Sequence, residues 1–198
     1  KCTLDSLFAD SFKDLEICII DDDSTDNSLE VIESAVKGHP NVKISLAETN
    51  LGVAKARQRL LESCSSEYIL IIDGDDVHIP GTIAPRVDFM NRNPSFGAAY
   101  GKLRRITEAG DDLHLSSGLP FSTFYLAYGA LAMHSGTMAR RSAMVKVGGY
   151  LETNEGKKSL SEDYYLWLRM ALDCKFKFFN RHMLLYRTHP TQTTTAQS

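Results

Sequence analysis

The chain has 198 residues with 43% hydrophobic content, enough apolar material for one sizeable core and too little length for two domains of ordinary size. Its 22 basic and 25 acidic residues leave a formal charge of -3, so it lacks the basic surplus that neutralises a phosphate backbone; nucleic acid is not an expected partner, and any anionic ligand must be held locally. Four cysteines (Cys2, Cys18, Cys64, Cys174) lie far apart and include no CxxC pair, so neither a zinc knuckle nor a small disulfide scaffold is suggested, and reduced, mostly buried thiols are the expectation. The apolar runs are strand-sized and fall short of the roughly 20 residues a membrane span requires. With Lys1 first and no leader pattern, a soluble chain is expected, trimmed or a piece of a longer one.

Leu15 to Ile20 is a continuous apolar run ending in Asp21, Asp22, Asp23, Ser24, Thr25 and Asp26, the pattern of a buried strand emptying into an acidic loop. Leu29, Ile32, Ala35 and Val36 follow at helical spacing, with Ser24 or Thr25 as the expected cap and Gly38 just past the end. Val42 to Leu46 alternates as a strand does, and Val53, Ala56 and Leu60 then mark one face of a second helix. Tyr68 to Ile72 is another buried strand, and it too ends in acid at Asp73, Gly74, Asp75 and Asp76. Downstream, the pattern predicts a helix from Thr82 to Asn93 stopped by Pro94, a strand from Gly97 to Ile106 and a short helix from Arg141 to Val147. Ser161 is expected to cap a helix through Leu172, and Phe176 to Phe179 and Met183 to Tyr186 to form two closing strands. Gly110 to Gly136 is too irregular to assign, and Thr188 to Ser198 reads as a polar tail. Strands alternating with helices indicate an open α/β sheet, whose ligands bind outside the carboxyl ends of parallel strands. The two acidic loops are therefore expected to share one crevice.

Asp73 and Asp75 stand two apart, so an extended backbone would turn both carboxylates to one side, with Gly74 allowing close approach of a ligand. Such a pair suits Mg²⁺ or Mn²⁺, hard ions that take oxygen ligands and complete their shell with water and phosphate. A solvated acidic turn, with Asp76 capping the next segment, is the alternative. Asp21 and Asp22 equally resemble helix-capping chemistry, Glu162 and Asp163 could simply complement a helix dipole, Arg57 could face solvent, and His189 could be an exposed histidine. Asp163, in a first helical turn, is expected to be ionised and able to accept a proton. The Tyr164, Tyr165, Trp167 and Leu168 cluster reads as packing, with one aromatic able to stack on an acceptor ring.

What distinguishes the chain is the conjunction, in order, of IIDDDSTD, NLGVAKAR (Asn50 to Arg57), YILIIDGDD and SEDYYLWLR (Ser161 to Arg169). This order resembles the inverting family 2 glycosyltransferases over nearly the whole chain. The resemblance implies a GT-A fold, a Rossmann-like, mostly parallel sheet flanked by helices, with residues 1–187 as a single catalytic domain and 188–198 as tail. By resemblance Asp22 contacts the nucleotide base, Arg57 lies beside base and diphosphate, Asp73 is near the ribose and Asp75 on the metal. Asp163 is the catalytic base beside Glu162. In the Tyr186, Arg187, His189 segment, Arg187 joins the donor site and His189 approaches the metal or diphosphate. Glu162 and Trp167 are the further acceptor or positioning candidates.

The implied reaction is transfer of a monosaccharide from a nucleotide-diphosphate sugar, UDP being the family's frequent choice, to a hydroxyl on a glycan, lipid-linked or protein acceptor, assisted by Mn²⁺ or Mg²⁺. The resemblance departs at three points. The family's opening strand is not among these residues, which begin within the following helix, so neighbouring strands are expected to expose unpaired edges. Asp23 stands where a glycine is common, at a tight turn. No Q-x-x-R-W segment follows the SED helix, which separates the chain from the processive cellulose- and chitin-synthase branch and favours single-sugar transfer. The alternatives from other classes are a non-catalytic nucleotide-sugar binding module and a Mg²⁺-binding receiver domain. A cytoplasmic location is expected, with peripheral attachment to a membrane as a variant.

Overall fold

A computed structural model describes residues 1–120, 134–151 and 162–190. Ile17–Asp21 (β1) and Val42–Leu46 (β2) pair in parallel, Ile17 opposite Val42 through Asp21 opposite Leu46. The crossover that parallel neighbours need is supplied by the helix Ser28–Ala35 (α2). Neither Ser24 nor Thr25 caps α2. Asn27 holds the cap position without a side-chain bond, because the acidic loop first closes turns of its own: the Ser24 N–H donates to Asp21 Oδ1 at 3.0 Å and the Ser28 N–H to Asp26 Oδ1 at 2.9 Å. Carboxylates are stronger acceptors than hydroxyls, so the aspartates displace the expected caps.

A second sheet joins Tyr68–Leu70 (β3), Val77–His78 (β4), Phe96–Ile106 (β5), Asp112–Ser117 (β6), Met138–Arg140 (β7) and Lys175–Arg187 (β8) in the order β3-β7-β5-β8-β4, with β6 on β5. Only β5·β8 is parallel within it; the other pairings are antiparallel. The α/β class stands as expected, but the sheet is mixed and curled, because short return strands and the β5–β6 hairpin need no helical crossover. The two closing strands are one. Between Gly101↔Phe179 and Lys102↔His182 the register skips, so polar Asn180 and Arg181 interrupt the apolar pattern without ending β8. Gly101 permits this, since a Cβ there would lie 2.7 Å from the Arg181 carbonyl oxygen.

The helices Cys2–Phe8 (α1), Val53–Ser63 (α3), Ile83–Arg92 (α4), Arg141–Lys146 (α5) and Glu162–Ala171 (α6) cover the sheets. The fully buried Ala98 and Ala139 on β5 and β7 leave room for Met144, Leu166, Trp167 and Met170 to pack across the sheet from α5 and α6. Burial of each large side chain contributes about 1.5–3 kcal/mol. On α3 the buried face is Ala56 and Leu61, whereas Val53 is half exposed. Ser161, the expected cap of α6, lies outside the described residues, as do residues 121–133 of the unassigned stretch and the tail from 191. No helix among the described residues is long and apolar enough to cross a membrane.

Between β1 and β3 there is no pairing, and the expected unpaired edges are present: among the described residues β1 pairs only with β2, and β3 only with β7. A cleft of about 1380 Å³ separates them, walled by residues 17–21 on one side and 68–74 on the other. All four cysteines are free thiols, Cys2 exposed and the others half-buried, a more open disposition than expected. Cys18 and Cys64 meet beside Glu16 in this cleft. Burial, the neighbouring thiol and Glu16 push Cys64 up to about 12, so it stays protonated. Lys43, with the Ser65 N–H, holds Glu16 at about 2.

The N-terminal segment is fastened by a buried polar network that the sequence pattern does not reveal. Asp10, wholly buried, accepts hydrogen bonds from the N–H groups of Phe12 (2.9 Å) and Gly81 (2.8 Å) and meets His78 Nε2 at 2.7 Å. Burial opposes its charge, yet these partners together hold it below the usual carboxylate range. Burial, with nearby Arg86, depresses His78 against the pull of Asp10, which keeps the imidazole neutral at pH 7. Arg86, also wholly buried, donates to Thr82 O (2.8 Å) and Gly136 O (2.7 Å). Asp10→Ala orphans two amides and His78 at once and is expected to lower unfolding free energy by about 3 kcal/mol, read from urea denaturation at pH 7.

Candidate active site

The first acidic loop is bound to the segment that opens α3. Asp22 accepts from Leu51 N–H at 2.8 Å and Gly52 N–H at 3.0 Å, one to each carboxylate oxygen, and the Asn50 side-chain amide donates to the Asp22 carbonyl at 2.9 Å. Gly52 has φ 78°, a left-handed conformation that glycine adopts without cost and that aims these amides at the carboxylate. Asp23 has φ 66°, so an aspartate occupies the turn position where a glycine would be unstrained.

One turn into α3, Arg57 reaches across the cleft. Its Nη2 donates to Asp73 Oδ1 at 2.7 Å and its Nη1 to Glu162, in the first turn of α6. Burial works against its charge, but Asp73 and Glu162 more than restore it. Arg57 is therefore not a solvent-facing cation; it joins the end of β3 to the helix that carries Asp163.

Asp73 to Asp76 form a turn, closed by the Asp76 N–H to the Asp73 carbonyl at 3.1 Å. The expected extended geometry is thereby corrected: a turn, not strand alternation, arranges the Asp73 and Asp75 carboxylates. Gly74 is open, with nothing within 4 Å of a Cβ built there, and α1 braces the turn, Thr3 Oγ1 lying 2.8 Å from Gly74 O and 2.7 Å from Asp76 O. The Asp73 N–H donates to Ser135 Oγ at 3.2 Å.

The end of β8 closes on the same turn. His189 Nε2 lies 3.0 Å from Asp75 Oδ2, Arg187 Nε donates to the Asp75 carbonyl at 2.8 Å, and Arg187 Nη1 donates to the carbonyls of Thr107 (3.2 Å) and Glu108 (2.6 Å). The Arg187 N–H donates to Asp76 Oδ1 at 3.0 Å. Asp75 and His189 are thus brought into contact, with Asp73 on the same turn; carboxylates of this kind could serve as oxygen ligands for a hard divalent ion.

Three residues here escaped sequence reasoning. Asp76 does not cap a helix: its side chain is completely buried, and burial, reinforced by Asp75 and Asp73 and opposed by Ser135 and the Arg187 N–H, pushes its carboxyl up to about 7. Tyr150 and His134 form a buried pair, Oη to Nε2 3.2 Å, and burial with the charge of Arg57 holds His134 well below the usual histidine range. Burial raises the Tyr150 phenol steeply, with Arg57 opposing the rise and Asp163, Asp73 and Glu162 adding to it. Only DGDD could have pointed to Asp76; nothing in the local sequence singles out Tyr150 or His134. Trp167 is a correction. At 2% exposure, with its ring against His134 and Phe176, it is part of the core and presents no face to an acceptor.

Comparison with known proteins follows the same outline. The model of the family "Glycosyl transferase family 2" matches residues 1–148. Chondroitin synthase of Escherichia coli is 25% identical over 178 residues, which cover 90% of this chain and 25% of that protein; the chain spans a quarter of its length. Among solved structures, S. aureus TarS 1-349 in complex with UDP-GlcNAc superposes with TM-score 0.77 at 19% identity, over 98% of this chain and 56% of that one. A mannosyltransferase from Pyrobaculum calidifontis in complex with GDP-Man and Mn²⁺ gives TM-score 0.68 at 18% identity, over 92% and 51%. These likenesses establish the GT-A fold.

The left-handed turn in the acidic loop yields a direct test. Asp23→Gly removes the Cβ from a left-handed backbone and is expected to stabilise the fold by about 0.5 kcal/mol, after allowance for glycine's larger unfolded-state entropy. An upward shift in the urea midpoint, with unchanged slope, checks it.

Proposed function

The chain belongs to glycosyl transferase family 2, and from that footing we propose that it moves a monosaccharide from a nucleotide-diphosphate sugar, a UDP-sugar first, to a hydroxyl acceptor with inversion at the sugar carbon. The observation that carries this reading is Arg57, which binds Asp73 and Glu162 together and so sets the acidic turn at the end of β3 beside the first turn of α6. A donor-binding loop and a candidate base thereby share one rim of the cleft. TarS, whose structure holds UDP-GlcNAc, supports a UDP donor, and the mannosyltransferase complex with Mn²⁺ supports a divalent ion.

In this assignment Asp22 receives the nucleotide base, Asp73 the ribose, and Arg57 and Arg187 the diphosphate. Asp75 and His189 would hold the divalent ion, Mn²⁺ or Mg²⁺, which would supply positive charge to offset that of the diphosphate. Asp163 takes the proton of the acceptor hydroxyl as its oxygen attacks the sugar carbon from the face opposite the diphosphate. Glu162 acts through Arg57, orienting the turn that bears Asp163. The acceptor is a hydroxyl on a glycan, lipid-linked intermediate or protein, and one sugar is transferred per event.

A second reading, a nucleotide-sugar binding module without turnover, draws on the open cleft between β1 and β3, which leaves both strand edges beside Asp22 and Asp73 unpaired. Calorimetry with Mn²⁺ and a panel of nucleoside diphosphates, paired with release of nucleoside diphosphate from sugar donors, separates the two. The expected result is Mn²⁺-dependent UDP binding weakened by about tenfold or more in Asp75→Ala. In Asp163→Asn, turnover is expected to fall by about a thousandfold with binding retained. Full turnover by Asp163→Asn would remove the assigned base; binding without turnover by the unaltered chain would favour the module.

A further inference from the structure

The ligand groups of the candidate donor site come from two segments that are distant in sequence, and one buried side chain connects them. Asp76 Oδ1 accepts the Arg187 N–H at 3.0 Å across 111 residues. This contact fixes the backbone two residues before His189, whose Nε2 meets Asp75 Oδ2, and one residue after Asp75. The Asp76 side chain has no exposed surface, so it is not placed to take a ligand from the cleft. Ser135 stands on the other side of the turn, holding the Asp73 N–H. Thr3 of α1 closes on its carbonyls.

Resting on the donor-site reading above, we propose that Asp76 is a positioning residue, whose buried carboxyl locks the Arg187 end of β8 onto the Asp73–Asp75 turn and so sets the spacing between Asp75 and His189, two residues beyond that end. The device acts through a hydrogen-bond acceptor, not through its charge. A buried carboxyl costs desolvation energy, and a residue serving only the turn needs no acceptor aimed at a strand end so far along the chain. Burial away from water also makes the bond more selective for one arrangement, because a buried amide that loses its acceptor is costly.

The test compares Asp76→Ala, which removes the acceptor, with Asp76→Asn, which keeps an oxygen at Oδ1 and removes the charge. Two quantities are read: Mn²⁺-dependent UDP affinity by calorimetry, and amide hydrogen exchange at Arg187 and His189 by NMR. In folded Asp76→Ala, affinity is expected to fall by about tenfold or more, with Asp76→Asn within about threefold of the unaltered protein. Exchange at the two amides is expected to quicken by about tenfold or more in Asp76→Ala only, with protection in β5 unchanged. A folded Asp76→Ala with unaltered exchange and affinity overturns the proposal. So does an Asp76→Asn that loses affinity with Arg187 still protected, since charge would then be the acting feature. If Asp76→Ala does not fold, Asp76→Asn decides by the same criteria. If the unaltered chain shows no Mn²⁺-dependent UDP binding, the donor-site reading falls, and the exchange comparison alone decides whether the lock exists.

Discussion

Repulsion among carboxylates is the constraint on which the arrangement of this protein depends. Two acidic loops end at one cleft, and a third acidic pair opens α6 beside them. Like charges so close raise each other's proton affinity and oppose folding unless each is given a partner. Here five of these groups have named partners: backbone amides for Asp22, one guanidinium shared by Asp73 and Glu162, an imidazole for Asp75, and an amide for the buried Asp76. These partners come from α3 and the residues that open it, and from β8 and the residues that follow it, so neutralising the acids also draws distant parts of the chain together.

The scaffold that makes this possible is rigid where the partners originate. The β5·β8 pair runs from Phe96↔Lys175 to Ile106↔Arg187, long enough to carry β8 from the core to the acidic turn. Fully buried alanines on β5 and β7 bring α6 close enough for Glu162 to reach Arg57. At the other end the Asp10, His78 and Gly81 contacts hold α1 against β4, and Thr3 of that helix braces the DGDD turn. The site is thus supported from beneath by polar groups that take no part in the proposed chemistry. The weak place is the cleft itself, where β1 and β3 lack pairing on their facing edges and where the thiols of Cys18 and Cys64 gather.

Local sequence determined a good deal of this protein: the strand-sized apolar runs, the acid that follows β1 and β3, α4 bounded by Thr82 and Asn93, and the order of motifs that carries the family. Those features depend on neighbours a few residues apart, where periodicity, capping and turn chemistry act directly. Tertiary structure alone decided the rest. That β8 is one strand depends on Gly101 of β5 accommodating the bulge at Asn180 and Arg181; that Trp167 is core depends on the alanines opposite it. Arg57 became a bridge, and Asp76 a buried acceptor, only because residues 73, 162 and 187 converge. A side chain's burial and the partner that compensates its charge are set by segments over a hundred residues away, and no local pattern encodes that distance.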